Sequence, residues 1–406
     1  MTSKVYFDND FKNYSTELKP IIQNKSGVGI SDEFHTKLQN FISTKLLVLT
    51  TDMKKNIFCD GTVYTGCAGL ALYYFSSCKT ISAYEESLQM ALQYININNL
   101  KGRRISFLCG DAGPLALAIV ISYKLGPNRP DNLPDYKILI QRLMNLISVL
   151  DDSPDELLYG KAGYLYALLF VNKYISVKDT IPSSHIEKVV EAIFESGKQF
   201  SKKMKSDCPL LWQWHDKVYF GAAHGMAGIL FMLLQAREYI NAADIRSFIK
   251  PSLDWLLSQQ YASGNFPSSL NSSSHDRLVQ WCHGAPGFVP LCLLAYQIFE
   301  EDKYLKIALQ CGEVVWQRGL CKKGFSICHG VAGNAYTFVQ LYQVTKEPKH
   351  LYRACCFTKW CILERSGTQR HHPDRPASLF EGLVGSINLA EDLKNINEAR
   401  FPGFCL

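Results

Sequence analysis

The chain has 406 residues, nearly half of them apolar and a fifth charged, with a formal net charge of +6. That length and composition allow one large domain or several ordinary ones, provide for a sizeable core, and exclude a disordered chain. So mild a basic excess, without a dense Lys/Arg run, argues against nucleic acid as a partner and fits the attraction of small anions instead.

The segment Met1-Thr2-Ser3-Lys4-Val5-Tyr6-Phe7-Asp8 lacks the apolar core of a signal peptide and carries Thr2 where myristoylation requires a glycine. No stretch approaches the about 18 consecutive apolar residues of a membrane span. The fourteen cysteines are therefore expected as reduced thiols in the cytoplasm: small core residues, with a few metal ligands among them.

In chain order, the first clear element is 31–49, an amphipathic helix with Ser31 as N-cap and Asp32 and Glu33 in its first turn. A Gly-x-x-Gly unit follows, Gly66-Cys67-Ala68-Gly69, leading into LALYYF. The same unit recurs as Gly110-Asp111-Ala112-Gly113, Gly160-Lys161-Ala162-Gly163 and Gly225-Met226-Ala227-Gly228, each before a run apolar nearly all round. Three more copies are Gly284-Ala285-Pro286-Gly287, Gly330-Val331-Ala332-Gly333 and Gly382-Leu383-Val384-Gly385. Between the copies lie helices with one wet face: 135–150, 184–204, 302–317 and 350–364, with apolar residues at i, i+3, i+4 and i+7. Stretches 200–220 and 264–282 read as long loops.

Self-similarity at this period marks a repeat architecture. Each repeat pairs an amphipathic outer helix with a buried inner one, and the glycine pair allows a sharp turn where backbones crowd. An open stack of seven would need atypical capping repeats; none is visible. The predicted fold is all-α, a double α-toroid of seven outer and seven inner helices. With no Pro/Gly/Ser-rich linker, residues 1–406 read as one domain.

In such a ring the residues before each Gly-x-x-Gly converge on one rim. They are His224 in copy four, Trp281-Cys282-His283 in copy five, Cys328-His329 in copy six and Glu381 in copy seven, with Cys109, Asp111 and Tyr159 from copies two and three. Cys282 and Cys328 with one histidine, either His283 or His329, form a soft donor set suited to zinc with one open position, the pattern of a catalytic site. A lone Cys-His pair before a glycine turn is more often core packing; two pairs at equivalent repeat positions point to metal. Two thiolate ligands keep a third bound thiolate electron-rich, which favours thiol addition over water activation. Addition across a C=C beside a carbonyl also needs an acid for the enolate, and His224 has the pKa range. Asp111 reads as a turn-former, Glu381 as a helix cap or rim residue, Cys355, Cys356 and Cys361 as packing, and Trp281 and Tyr159 as pocket walls.

The segments FLCGDAGPLA (107–116), LYGKAGYLYALLFVNK (158–173), GAAHGMAGI (221–229), WCHGAPG (281–287), CHGVAGNAY (328–336) and SLFEGLVG (378–385) together resemble the eukaryotic lanthionine synthetase C-like proteins, over essentially the whole chain. The resemblance implies the double toroid with zinc on Cys282, Cys328 and His329. It implies glutathione as co-substrate, added to dehydroalanine and dehydrobutyrine residues of proteins, with His224 as the acid/base. It also implies Lys323 as a catalytic residue that contacts glutathione and, near the N-terminus, a glutathione contact from Lys4, each of which without it reads as a solvated charge. A further family arginine falls on His371 in Gln369-Arg370-His371-His372-Pro373-Asp374, with Arg370 one residue away as its substitute.

Two rival readings remain open. One is a zinc- and glutathione-binding adaptor without catalysis, whose outer face meets signalling proteins; in either reading the periphery of the plasma membrane is the alternative to the open cytoplasm. The other is a glycosidase, which needs two carboxylates; Glu381 with Asp111 or Asp216 are the available candidates, and the thiols are then unexplained.

Overall fold

The computed structural model describes residues 4–15, 23–24, 27–53, 60–77, 84–272, 276–363 and 375–406. The chain resolves into two compact units. The first comprises Met1–Cys59, Tyr261–Pro267 and Ser273–Phe401, and the second Asp60–Gln260, Ser268–Ser272 and Pro402–Leu406.

The second unit holds four helical hairpins. Inner helices α2 (Cys67–Ser77), α4 (Ala112–Leu125), α6 (Lys161–Tyr174) and α8 (Met226–Gln235) pack on outer helices α3 (Tyr84–Leu92), α5 (Tyr136–Asn145), α7 (Ser183–Met204) and α9 (Lys250–Leu257). Each inner helix also packs on the next, α2 on α4, α4 on α6 and α6 on α8. The first unit holds the rest: α10 (Ala285–Phe299) with α11 (Asp302–Arg318), α12 (Val331–Thr345) with α13 (Pro348–Ile362), and α14 (Leu383–Lys394) with α1 (Asp32–Met53). There α10 packs on α12 and α12 on α14. The first outer helix of the chain thus supplies the partner of the last inner one, and neither is left as an uncapped end. The described residues contain one strand pair, the two-residue ladder Gln23–Asn24 with Gly27–Val28.

Burial follows the sequence pattern. In α4 every side chain but Tyr123 and Lys124 is buried, and in α8 every one but Gln235. Each large apolar side chain there would cost about 1.5–3 kcal/mol if left in water, so these helices have no stable place except the interior. In α7 only the stripe Ile186, Val189, Val190, Ile193, Phe194, Gly197 and Ser201, joined by His185, is covered. Ser31 caps α1 as expected, accepting the Phe34 N–H at 3.2 Å. The helix predicted over 135–150 ends in a 3-10 turn at Leu146–Val149. The loop expected from 200 begins only at Lys205, whose left-handed backbone (φ 52°) stops α7. Outer helices α3 and α9 carry short or interrupted stripes, and α9 is preceded by a π turn at Ile245–Ile249. Neither was visible as a 3.6-residue period.

The glycine units are closed in one way in six copies. The N–H after the first glycine donates to the carbonyl seven residues upstream: Cys67 to Asp60, Asp111 to Arg104, Lys161 to Pro154, Met226 to Tyr219, Val331 to Gly324 and Leu383 to Pro376, at 2.7–3.1 Å. The turn folds back so tightly that a Cβ on Gly333 would collide with the Ile327 carbonyl. Copy five departs from this rule. Ala285 donates instead to the side-chain Oδ1 of Asn265 at 2.8 Å, and Gly284 adopts φ 107° where Gly160, Gly225, Gly330 and Gly382 lie between −115° and −122°.

Candidate metal centre and acid/base pair

The first unit brings together the expected metal ligands. One donor atom each from Cys282, Cys328 and His329 lies within 4.8 Å of the other two, with both cysteines buried. Backbone pairing between adjacent turns sets this up: the Cys282 N–H donates to the Cys328 carbonyl at 3.3 Å, and the Cys328 N–H to the Phe380 carbonyl at 2.9 Å. Equivalent positions of copies five, six and seven are laced together, so two cysteines far apart in sequence become neighbours. In the second unit the same lacing ties Tyr64 to Leu108 at 2.9 Å.

Burial drives the Cys328 thiol well above its ordinary range, the neighbouring Cys282 adds to the rise, and His329 opposes it. A thiol so placed ionises only against a strong local positive charge. Two convergent sulfurs and an imidazole are the donor set of zinc, and three protein donors leave its fourth place for an exogenous ligand. The residues present fit the ion. His283 lies outside this group, and His329 lies within it.

The second unit places His224 in a pair that sequence reading missed. His224 Nδ1 lies 2.8 Å from Glu156 Oε2, whose side chain is almost fully buried while that of His224 is 23 % exposed. Glu156 also accepts the Leu158 N–H at 2.8 Å and the Tyr159 N–H at 2.7 Å, which hold its side chain in place against the imidazole. With the Glu156 carboxyl group on Nδ1, Nε2 is the nitrogen left for a further partner. The Tyr159 ring lies nearly parallel to the imidazole (centroids 6.0 Å, 9°), as does Trp214 (6.2 Å, 17°). Tyr159 is thus a wall of this site, as expected. Trp281 is not: it is 1 % exposed, stacked on Phe401 at 4.9 Å, and belongs to the core. Glu156 stands four residues before Gly160, inside the same rim segment whose last residues were the ones singled out.

Lys4 and Lys323 come from paired segments. Tyr6 bridges Cys321 in antiparallel register, the Lys322 N–H donates to the Val5 carbonyl at 3.0 Å, and the Phe7 N–H to the Leu320 carbonyl at 2.8 Å. Continuing that register sets Lys4 opposite Lys323. Lys4 forms an exposed ion pair with Asp8, which raises its pKa, and sits 4.8 Å from the Tyr6 ring centre. Arg370 and His371 lie outside the described residues. The Asp111 side chain does not cap its helix and accepts the Gly102 N–H, nine residues upstream, at 2.6 Å. Cys355, Cys356 and Cys361 are buried packing residues of α13.

A family model described as "Lanthionine synthetase C-like protein" matches residues 58–406. The chain belongs to the lanthionine synthetase C-like family. It is 40 % identical over 380 residues to a protein of Danio rerio named glutathione S-transferase LANCL1, covering 92 % of each chain. Among solved structures it resembles nisin cyclase with a TM-score of 0.64 and 17 % identity, over 91 % of this chain and 96 % of that one. That likeness shows the fold, the all-helical toroid of the LanC type expected from the repeats. No helix among the described residues is long and apolar enough to cross a membrane.

Proposed function

We propose that this chain is a zinc-dependent glutathione transferase that adds the glutathione thiol to dehydroalanine and dehydrobutyrine residues of proteins, acting in the cytoplasm with residues 1–406 as one domain. The observation that carries the reading is the convergence of Cys282, Cys328 and His329 within 4.8 Å. The name of the Danio rerio relative supports glutathione as the thiol.

Zinc bound by these three side chains would lower the pKa of an incoming thiol and hold it as a thiolate at neutral pH. In the addition the S–H bond would break with its proton passing to solvent, the sulfur would bond to the β-carbon of the dehydroamino acid, and the C=C electron pair would move onto the α-carbon and carbonyl as an enolate. His224 supplies the proton that ends on the α-carbon. Its Nδ1 is occupied by Glu156 at 2.8 Å, so Nε2 is the atom that gives the proton up. Glu156 stabilises the charged imidazole before transfer and fixes the ring's orientation. Lys4, Lys323 and Arg370 serve the carboxylates of glutathione, and nothing is oxidised or expelled.

The test is incubation of the metal-analysed protein with glutathione and a dehydroalanine peptide, read by mass. The peptide is expected to gain one glutathione with the wild type and not with Cys328→Ala or His224→Ala. Equal gain in all three would remove the mechanism, and metal binding without any gain would favour the adaptor.

A further inference from the structure

Copy five is the one copy in which the turn before the inner helix is not closed by its own backbone. The expected bond, Ala285 N–H to Leu278 carbonyl, is replaced by a carboxamide inserted between the two groups. Asn265 Oδ1 accepts the Ala285 N–H at 2.8 Å, and Asn265 Nδ2 donates to the Leu278 carbonyl at 2.9 Å. A neutral amide can satisfy an orphaned donor and an orphaned acceptor at once, whereas a carboxylate accepts only and an ammonium donates only. Asn265 has no solvent-exposed surface, so leaving either group unpaired would carry the full desolvation cost.

The amide is itself held. Its Nδ2 donates to Asp276 Oδ1 at 2.6 Å, and Asp276 is gripped by Arg318 through Nη1–Oδ2 and Nη2–Oδ1, both at 2.9 Å, and by the Ser263 hydroxyl at 2.5 Å. The segment 276–285, which contains Cys282, is thereby pinned at both ends to one side chain. The insertion widens the turn by one group and accompanies the left-handed Gly284, where a Cβ would stand 2.9 Å from Asn265 Oδ1. Copy six, with the same Cys-His-Gly letters and ordinary closure, contributes both its cysteine and its histidine to the donor cluster; copy five contributes its cysteine alone.

We propose that Asn265, braced by Asp276 and Arg318, is the positioning residue that shapes the copy-five turn and so presents Cys282, rather than His283, to the metal. The proposal rests on the zinc reading above. Removing outer partners of a ligand costs about 10–100-fold in metal affinity, and a loss in that range is expected here.

The decisive variant is Asn265→Asp, which keeps size and acceptor but loses the donor and faces Leu278 O and Asp276 with a second carboxylate. Zinc affinity, read by competition with a chromophoric chelator, should fall about 10–100-fold. In the cobalt(II)-substituted protein the thiolate-to-metal charge-transfer band should drop toward that of one thiolate, a signature that general loosening of the fold does not produce. Arg318→Lys, which leaves the amide in place and loosens its support, should give a smaller shift of the same kind and stands as the readout if Asn265→Asp does not fold. Wild-type affinity and an unchanged cobalt band in the folded variants overturn the proposal, while a wild type that binds no metal overturns the zinc reading itself.

Discussion

Copies five and six spell the same three residues before the inner helix, Cys-His-Gly, and use them differently. In copy six the backbone closes on itself, Val331 to Gly324 at 3.0 Å, and both Cys328 and His329 reach the donor cluster. In copy five a buried amide from a distant loop stands inside the turn, and only Cys282 reaches it. Identical letters therefore give different ligands because the loop around them differs. A repeat sequence specifies where a side chain starts, and the bonds that close the turn specify where it ends.

The largest break in this comparison comes from the side chains that the two turns share. Cys328→Ala should abolish tight zinc binding and lower glutathione addition by more than about 100-fold, beyond what loss of an outer partner causes. His329→Ala should do the same, whereas His283→Ala should leave zinc stoichiometry unchanged. Stoichiometric metal analysis separates the two histidines, and equal losses would put both turns on the same footing.

Next in size is the pair that lies outside both turns. His224→Ala should lower the rate by about 100-fold or more, the range of general acid catalysis, with metal content intact. Glu156→Gln should act in the same direction with a smaller loss, because a neutral amide in place of the carboxyl group stabilises a protonated imidazole less well. A loss of zinc in either variant would contradict the separation of metal and acid.

A smaller effect concerns the outer helix of copy six, where His350 is 1 % exposed and its pKa is pushed down to about 4 by burial, with Lys349 and Arg353 adding to the shift. The folded state prefers the neutral ring, so its contribution is complete above the ordinary histidine value of 6.5 and is lost as pH falls from 6.5 toward about 4. The loss is at most about 3 kcal/mol. Denaturant unfolding across that range should show an acid limb that His350→Leu shallows, and an unaltered limb would contradict it. Smallest is Gln280→Ala. Gln280 Oε1 lies 3.6 Å from Cys282 Sγ, and its loss should weaken zinc by about tenfold or less.

The legible part of the molecule was what repeats. The Gly-x-x-Gly units gave seven inner helices, the amphipathic stripes gave most outer ones, and the rim positions offered Cys282, Cys328, His224 and both His283 and His329, between which only the family resemblance chose. Glu156 and Asn265 were not legible, because each acts on a residue 68 or 20 positions away through a side-chain bond that leaves no period in the chain. Trp281 was misplaced for a related reason. It shares the rim position of its cysteine neighbour, yet an adjacent residue in a turn points elsewhere, here onto Phe401.

Metal content bears most directly on the central claim. Purified wild-type protein should carry one zinc per chain, and Cys282→Ala and Cys328→Ala should each carry close to none while retaining the helical circular dichroism of the wild type. Wild-type protein without zinc, or alanine variants that keep it, would contradict the account.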